Sequence, residues 1–239
     1  MPSVLVMTPQ IEELTPLLAE WRAGGLEHAA ANTGRMACIS VPALDLLIAV
    51  GGNGKAQFAL QSQHLIDRCP DARLLICAGA AGGLTTLVRP GDVVVATATV
   101  EHDYHERFVT EPLPRHESDS AVLHTFREIV RSGHLGSQDL HPFPFTVHFG
   151  PVASGDEDVV DEVRAVELRE ATGALCVAWE GSGGARAARF SGIPFVEVRA
   201  ITDAADAQAP GAFRANLDRA MIHAARLLLA WRTADLAAR

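Results

Sequence analysis

Short aliphatic runs separated by stretches of helical spacing constrain this chain more than any other feature. The runs are Val4 to Met7, Leu46 to Val50, Leu74 to Ala78, Val93 to Thr99, Leu175 to Ala178 and Phe195 to Ile201. They are mostly apolar at successive positions, which requires cover on both faces of the strand. Between them, Ile11 to Trp21, Ala56 to Arg68, Ser120 to Arg131, Val159 to Ala171 and Phe213 to Trp231 carry apolar residues at helical intervals. This alternation predicts a three-layer α/β/α fold around a central mixed, largely parallel sheet. No repeat, low-complexity tract or linker divides the chain, so residues 1–239 are expected to form a single domain. Pro112 and Pro114 within Tyr104 to His116, and three more prolines within Gly133 to Pro151, predict two long surface loops.

Composition narrows the functional classes. With 29 acidic against 20 basic residues the net charge is −9, which leaves no general basic footprint for a phosphate backbone, so nucleic acid is not an expected partner. No apolar run approaches the roughly 20 residues that span a bilayer, and the amino terminus lacks a signal-peptide pattern. A cytoplasmic protein without a membrane partner is expected. Cys38, Cys69, Cys77 and Cys176 are scattered without metal-ligand spacing and read as buried, reduced thiols. His102, Tyr104 and His105 lie close in sequence, but no third ligand accompanies the two histidines, and no metal site is expected.

In open α/β sheets, ligands bind beyond the carboxyl ends of the strands. Five stretches stand there: Thr8 to Glu13, Gly51 to Lys55, Gly79 to Leu84, Trp179 to Gly184 and Thr202 to Asp206. Gly51-Gly52-Asn53-Gly54-Lys55 lacks the spacing and the hydroxyl residue of a nucleotide-phosphate loop and reads as a tight strand-to-helix turn. Gly79-Ala80-Ala81-Gly82-Gly83 reads as a glycine-rich turn that packs closely or offers its amides to a ligand. Glu180, after a buried strand, suits a clamp on vicinal hydroxyls or an ion pair with Arg186, Arg189 or Arg199. Asp203 suits an acid at a strand end or a helix cap. Glu12 and Glu13 suit the positive end of the first helix.

Taken in order, Glu12-Glu13-Leu14-Thr15, Gly52-Asn53-Gly54-Lys55, Ala78 through Leu84, Gly91-Asp92-Val93-Val94, Ser154-Gly155-Asp156, Trp179-Glu180 and Val198 through Asp206 resemble the 5′-methylthioadenosine/S-adenosylhomocysteine nucleosidases of the nucleoside phosphorylase superfamily. The likeness runs over nearly the whole chain. It implies hydrolysis of the N-glycosidic bond of a 5′-modified purine nucleoside, without metal or organic cofactor, by a homodimer. It also implies roles: Asp203 as general acid toward the purine N7, oriented by Thr202; Glu13 as the base for the attacking water; Glu180 as the grip on the ribose hydroxyls. Phe213 is expected beside the sugar and its 5′ group, and Ala80, Ala81, Gly82, Asp158, Val159 and Trp179 around the substrate. These residue types suit a bond that breaks toward an anionic base and an oxocarbenium-like sugar.

Several positions depart from the family pattern. Asp158 stands where many members have Phe, Trp179 replaces Met, Ala80 replaces a small hydroxyl residue and Ala178 replaces a frequent Glu, while Gly181-Ser182-Gly183-Gly184 replaces an Ala-rich helix start. Asp158 suits either a cap on the helix expected from Val159 or a carboxylate accepting from the N1–H of hypoxanthine, as a futalosine-like substrate would require. Two rivals follow. A phosphorylase would bring Arg to a phosphate, and Cys77-Ala78-Gly79-Ala80 offers none; a catalytically silent nucleoside-binding protein would not need all three carboxylates.

Overall fold

The computed structural model describes residues 2–109, 111–133 and 144–238. Ten strands are joined in one sheet: β1 Val4–Thr8, β2 Ala29–Thr33, β3 Met36–Val41, β4 Leu46–Val50, β5 Leu74–Gly83, β6 Val93–Glu101, β7 Arg115–Glu117, β8 Val147–Ser154, β9 Cys176–Ala178 and β10 Phe195–Asp203. The helices are α1 Ile11–Ala23, α2 Lys55–Arg68, α3 Ser120–Ser132, α4 Glu162–Thr172, α5 Gly181–Ser191 and α6 Ala209–Ala237. Strands β4, β1, β5 and β10 run parallel side by side. Beyond β10 the sheet curls, through β6, β8 and β9, until β9 meets β5 again. Half the sheet is therefore a closed five-stranded ring, and β1, β4, β3 and β2 extend from it as an open blade.

The apolar strands are explained by cover on both sides. Val4 and Val6 of β1 join one core with Leu14, Leu17 and Trp21 of α1 and Met221, Leu228 and Trp231 of α6. Leu5 and Met7 of the same strand face the other way, onto Phe58 and Leu65 of α2 and Ala188 of α5. Alternation of side chains along a strand makes this division automatic. Trp21 Nε1 donates to the Ala225 carbonyl at 2.8 Å, and Phe126 stacks on Trp231 at 5.3 Å, which ties α1 and α3 to α6.

Four expectations are corrected. Gly79 to Gly83 is the second half of β5 and not a turn, because β10 on one side and β9 on the other complete its hydrogen bonding. The expected loop from Gly133 to Pro151 ends in a strand: Val147 to Pro151 belong to β8, and residues 134–143 lie outside the described residues. Pro151 is tolerated because the register of β6 and β8 shifts between Ala96 and Thr99, opposite that proline. The helix expected from Val159 begins at Glu162, with Asp161 as its cap. The expected loop from Tyr104 to His116 also ends in a strand, because Arg115 and His116 pair with β6 as part of β7.

Candidate active site

The ring of strands opens on a cavity of about 460 Å³ lined by residues from β5, β9, β10, α1, α6 and the segment before α4. Glu13, Glu180 and Asp203 all reach it, and so do Ala80, Ala81, Gly82, Asp158, Val159, Trp179, Thr202 and Phe213. The three carboxylates arrive by different routes. Glu13 sits in the first turn of α1, Glu180 immediately precedes α5, and Asp203 closes β10.

Glu13 is nearly fully buried and accepts from the Ala80 amide at 2.7 Å and the Gln10 amide at 2.8 Å. Burial nonetheless outweighs these donors and the nearby Arg199, and raises its pKa to about 7. Such a carboxyl can give or take a proton near neutrality. The extended β5 is what brings the Ala80 amide to it, so the strand that replaced the expected turn is part of the site.

Asp203 is aimed by an irregularity in β10, whose pairing with β5 shifts between Ile201 and Asp203 and sets Asp203 opposite Gly82. Its Oδ2 lies 2.7 Å from the Thr202 hydroxyl, and its Oδ1 accepts from the Ala205 amide at 3.0 Å. Ala205 adopts the left-handed conformation, φ 51°, that turns this amide back. Burial raises the Asp203 pKa from its ordinary value, against the hydrogen bonds from Thr202 and Ala205 that lower it. The capping alternative for Asp203 falls away, because the next helix starts only at Ala209.

Glu180 accepts from the Gly54 amide at 3.3 Å and from Arg199 Nη2 at 3.3 Å. Glu180 therefore lines the cavity and is ion-paired, with Arg199 and not Arg186 or Arg189. Gly52 and Gly54 have φ 76° and 79°, the left-handed region that the tight turn between β4 and α2 needs to present this amide. Lys55, at the start of α2, is held by Glu101 and Asp103.

Asp158 is exposed at the cavity and caps nothing, since Asp161 accepts from the Val163 amide at 2.7 Å and starts α4. The preceding Glu157 also lines the cavity and is gripped bidentately by Arg164 at 2.7 and 2.8 Å. Val159 turns its side chain onto Leu84, Val177 and Ala205, so it anchors this segment to the core. Sequence reasoning did not single out Gln10, Asn53, Glu157 or Arg214 as lining residues, and it treated Arg199 only as a possible ion-pair partner. Two opposite charges, Glu197 and Arg199, within the otherwise apolar run Phe195 to Ile201 were the available signal for Arg199.

Residues 4–231 match the sequence model of the Phosphorylase superfamily. A 5′-methylthioadenosine/S-adenosylhomocysteine nucleosidase of Treponema pallidum is 34% identical over 191 residues, covering 71% of this chain and 70% of the relative. The chain belongs to this nucleosidase family of the phosphorylase superfamily. Among solved structures, the nucleosidase of Neisseria meningitidis in complex with methylthio-immucillin-A superposes with a TM-score of 0.82 at 26% identity, covering 98% of this chain and all of that one. Futalosine hydrolase of Helicobacter pylori shares the fold, with a TM-score of 0.81 at 22% identity over 96% of this chain and 97% of that one. Family membership accounts for the mixed sheet that converges on one cavity.

Proposed function

We propose that this nucleosidase hydrolyses the N-glycosidic bond of 5′-modified purine nucleosides, such as methylthioadenosine or S-adenosylhomocysteine, to free base and 5′-substituted ribose. One observation carries the reading: Glu13, Glu180 and Asp203, from distant parts of the chain, face a single cavity, and burial disposes Glu13 and Asp203 to hold protons. In the reaction, Asp203 gives a proton to the purine N7 as the bond between N9 and C1′ breaks. Water adds to C1′ and passes a proton to Glu13. Glu180 receives the ribose hydroxyls and offsets cationic charge on the sugar, with Phe213 beside the 5′ group and Trp179 and Val159 around the base. Backbone and methyl groups of Ala80, Ala81 and Gly82 border the sugar. The same proposal takes the whole chain as one domain acting as a cytoplasmic homodimer.

Water is favoured over phosphate as the nucleophile because Arg199, the cation beneath the carboxylates, is fully buried and already bonded to Glu197, Glu180 and the Ala80 carbonyl. Arg214 stands exposed at the edge of the cavity, and Arg164 is bonded to Glu157. A panel of purine nucleosides with varied 5′ groups, assayed for free base with and without phosphate, tests both points. Turnover without phosphate is expected, and strict dependence on phosphate would replace hydrolysis by phosphorolysis.

Asp158 favours a second reading of the base. Its carboxylate stands at the cavity with the capping role already filled by Asp161, and it suits the N1–H that hypoxanthine has and adenine lacks. Relative kcat/KM on adenine and hypoxanthine nucleosides decides between them; a strong adenine preference removes the second.

A further inference from the structure

Beneath the cavity lies a carboxylate for which the proposed chemistry has no use. Glu197 is fully buried on β10, two residues before Arg199 and therefore on the same face of the strand. Its Oε1 accepts from Arg199 Nε at 2.6 Å and its Oε2 from the Thr99 hydroxyl at 2.5 Å. A buried carboxylate without such partners would destabilise the fold, and the chain gives up side-chain space to keep it. A Cβ at Gly181 would come within 2.2 Å of Glu197 Oε2, so the glycine that opens α5 is required by this carboxylate.

The rest of the guanidinium is more loosely held. Nη1 donates to the Ala80 carbonyl at 3.2 Å, and Nη2 lies 3.4 Å from Cys77 Sγ and 3.3 Å from Glu180 Oε2. Glu13 takes its hydrogen bonds from the Ala80 and Gln10 amides, although Arg199 is near enough to act on its charge.

We propose that Glu197 is a positioning residue for the hydrolysis: with Thr99 it anchors the Arg199 guanidinium below the cavity, where it reaches Glu180 but leaves Glu13 to its two backbone donors. The proposal rests on Glu13 being the base that takes the water proton. The charged and titratable groups facing Glu13 are Arg199 from β10, Glu180 at the start of α5 and Cys77 of β5. Burial keeps the Cys77 thiol protonated, and likewise Cys176 of β9, which faces Glu197. One guanidinium thus bonds two carboxylates, Glu197 and Glu180, and acts on Glu13 through its charge alone. With its Nε side committed to Glu197, its charge is largely spent there, and Glu13 retains affinity for a proton. With a neutral side chain in place of Glu197, the full cation acts on Glu13 and favours its ionised form.

The test is the pH dependence of kcat/KM, which reports the free enzyme, on a 5′-substituted purine nucleoside. Glu197→Gln, close in shape and still able to accept from Thr99 or Arg199, is expected to move the acidic limb to lower pH by about one unit. Thr99→Val, which frees one oxygen of Glu197, is expected to move it the same way by less. A folded Glu197→Gln enzyme with an unmoved acidic limb would overturn the proposal. Should that variant not fold, Thr99→Val decides, and an unmoved limb there overturns it equally. Glu13→Gln is the control: loss of turnover is expected, whereas a wild-type rate would overturn the base assignment itself, a different result from an unmoved limb.

Discussion

Gly82 lies directly opposite Asp203 in the pairing of β5 with β10, and a Cβ at Gly82 would stand 2.8 Å from Asp203 Oδ1. The absent side chain is what leaves Asp203 free to bond the Ala205 amide and face the cavity. Gly82→Ala is therefore expected to shift the carboxyl and lower kcat by about 10- to 100-fold while the protein stays folded, as steady-state kinetics with circular dichroism would show.

Asp203→Asn removes the proton itself. Base release should fall by about 10²- to 10⁴-fold, with unfolding behaviour close to wild type, since the amide oxygen can still accept from Ala205. Wild-type turnover in this variant would rule out Asp203 as the acid.

Glu13 links activity to pH and stability to pH in opposite senses. As a base it must be ionised, so kcat/KM, which reports the free enzyme, should rise with pH through about 7. Stability goes the other way. Its folded pKa is about 7 against an ordinary 4.5, so the folded state binds this proton more tightly; the stabilisation is complete below about pH 4.5 and is lost as pH rises through about 7. The difference of 2.5 units corresponds to about 3 kcal/mol. Urea unfolding of Glu13→Gln at pH 5 and pH 8 should show that this part of the pH dependence has disappeared; an unchanged dependence would contradict the assignment.

Two aspartates three residues apart should separate cleanly. Asp161→Ala removes the cap of α4 and should cost about 1 kcal/mol of stability with little effect on turnover. Asp158→Asn should leave stability alone. If Asp158 reads hypoxanthine, the variant loses about tenfold or more in kcat/KM on hypoxanthine nucleosides relative to adenine nucleosides; an unchanged ratio would remove that reading.

Much of this architecture was legible from local pattern. A strand covered on both faces must be apolar at successive positions, which marked β1, β4, β6 and β10, and helical spacing marked α1, α2, α3 and α6. Local pattern failed where a partner elsewhere supplied the stability. Gly181, Gly183 and Gly184 have poor helix propensity, yet they stand in α5 at positions where a Cβ would meet Glu197, the Lys55 carbonyl and the rings of Phe58 and Phe195 respectively, so close packing selects them. Arg115 to Glu117 became β7 only by pairing with β6.

Residue identity, by itself, determined which elements form along most of the chain and which acidic side chains stand at their ends, because periodicity and turn chemistry act over a few residues. Tertiary structure alone decided that Glu13, Glu180 and Asp203 share one cavity, that β5 runs on through its glycines, and that Glu13 holds its proton to about pH 7. Those outcomes depend on burial and on neighbours distant in the chain: desolvation of a carboxyl, and the position of a buried guanidinium, exist only once the strands have closed around them.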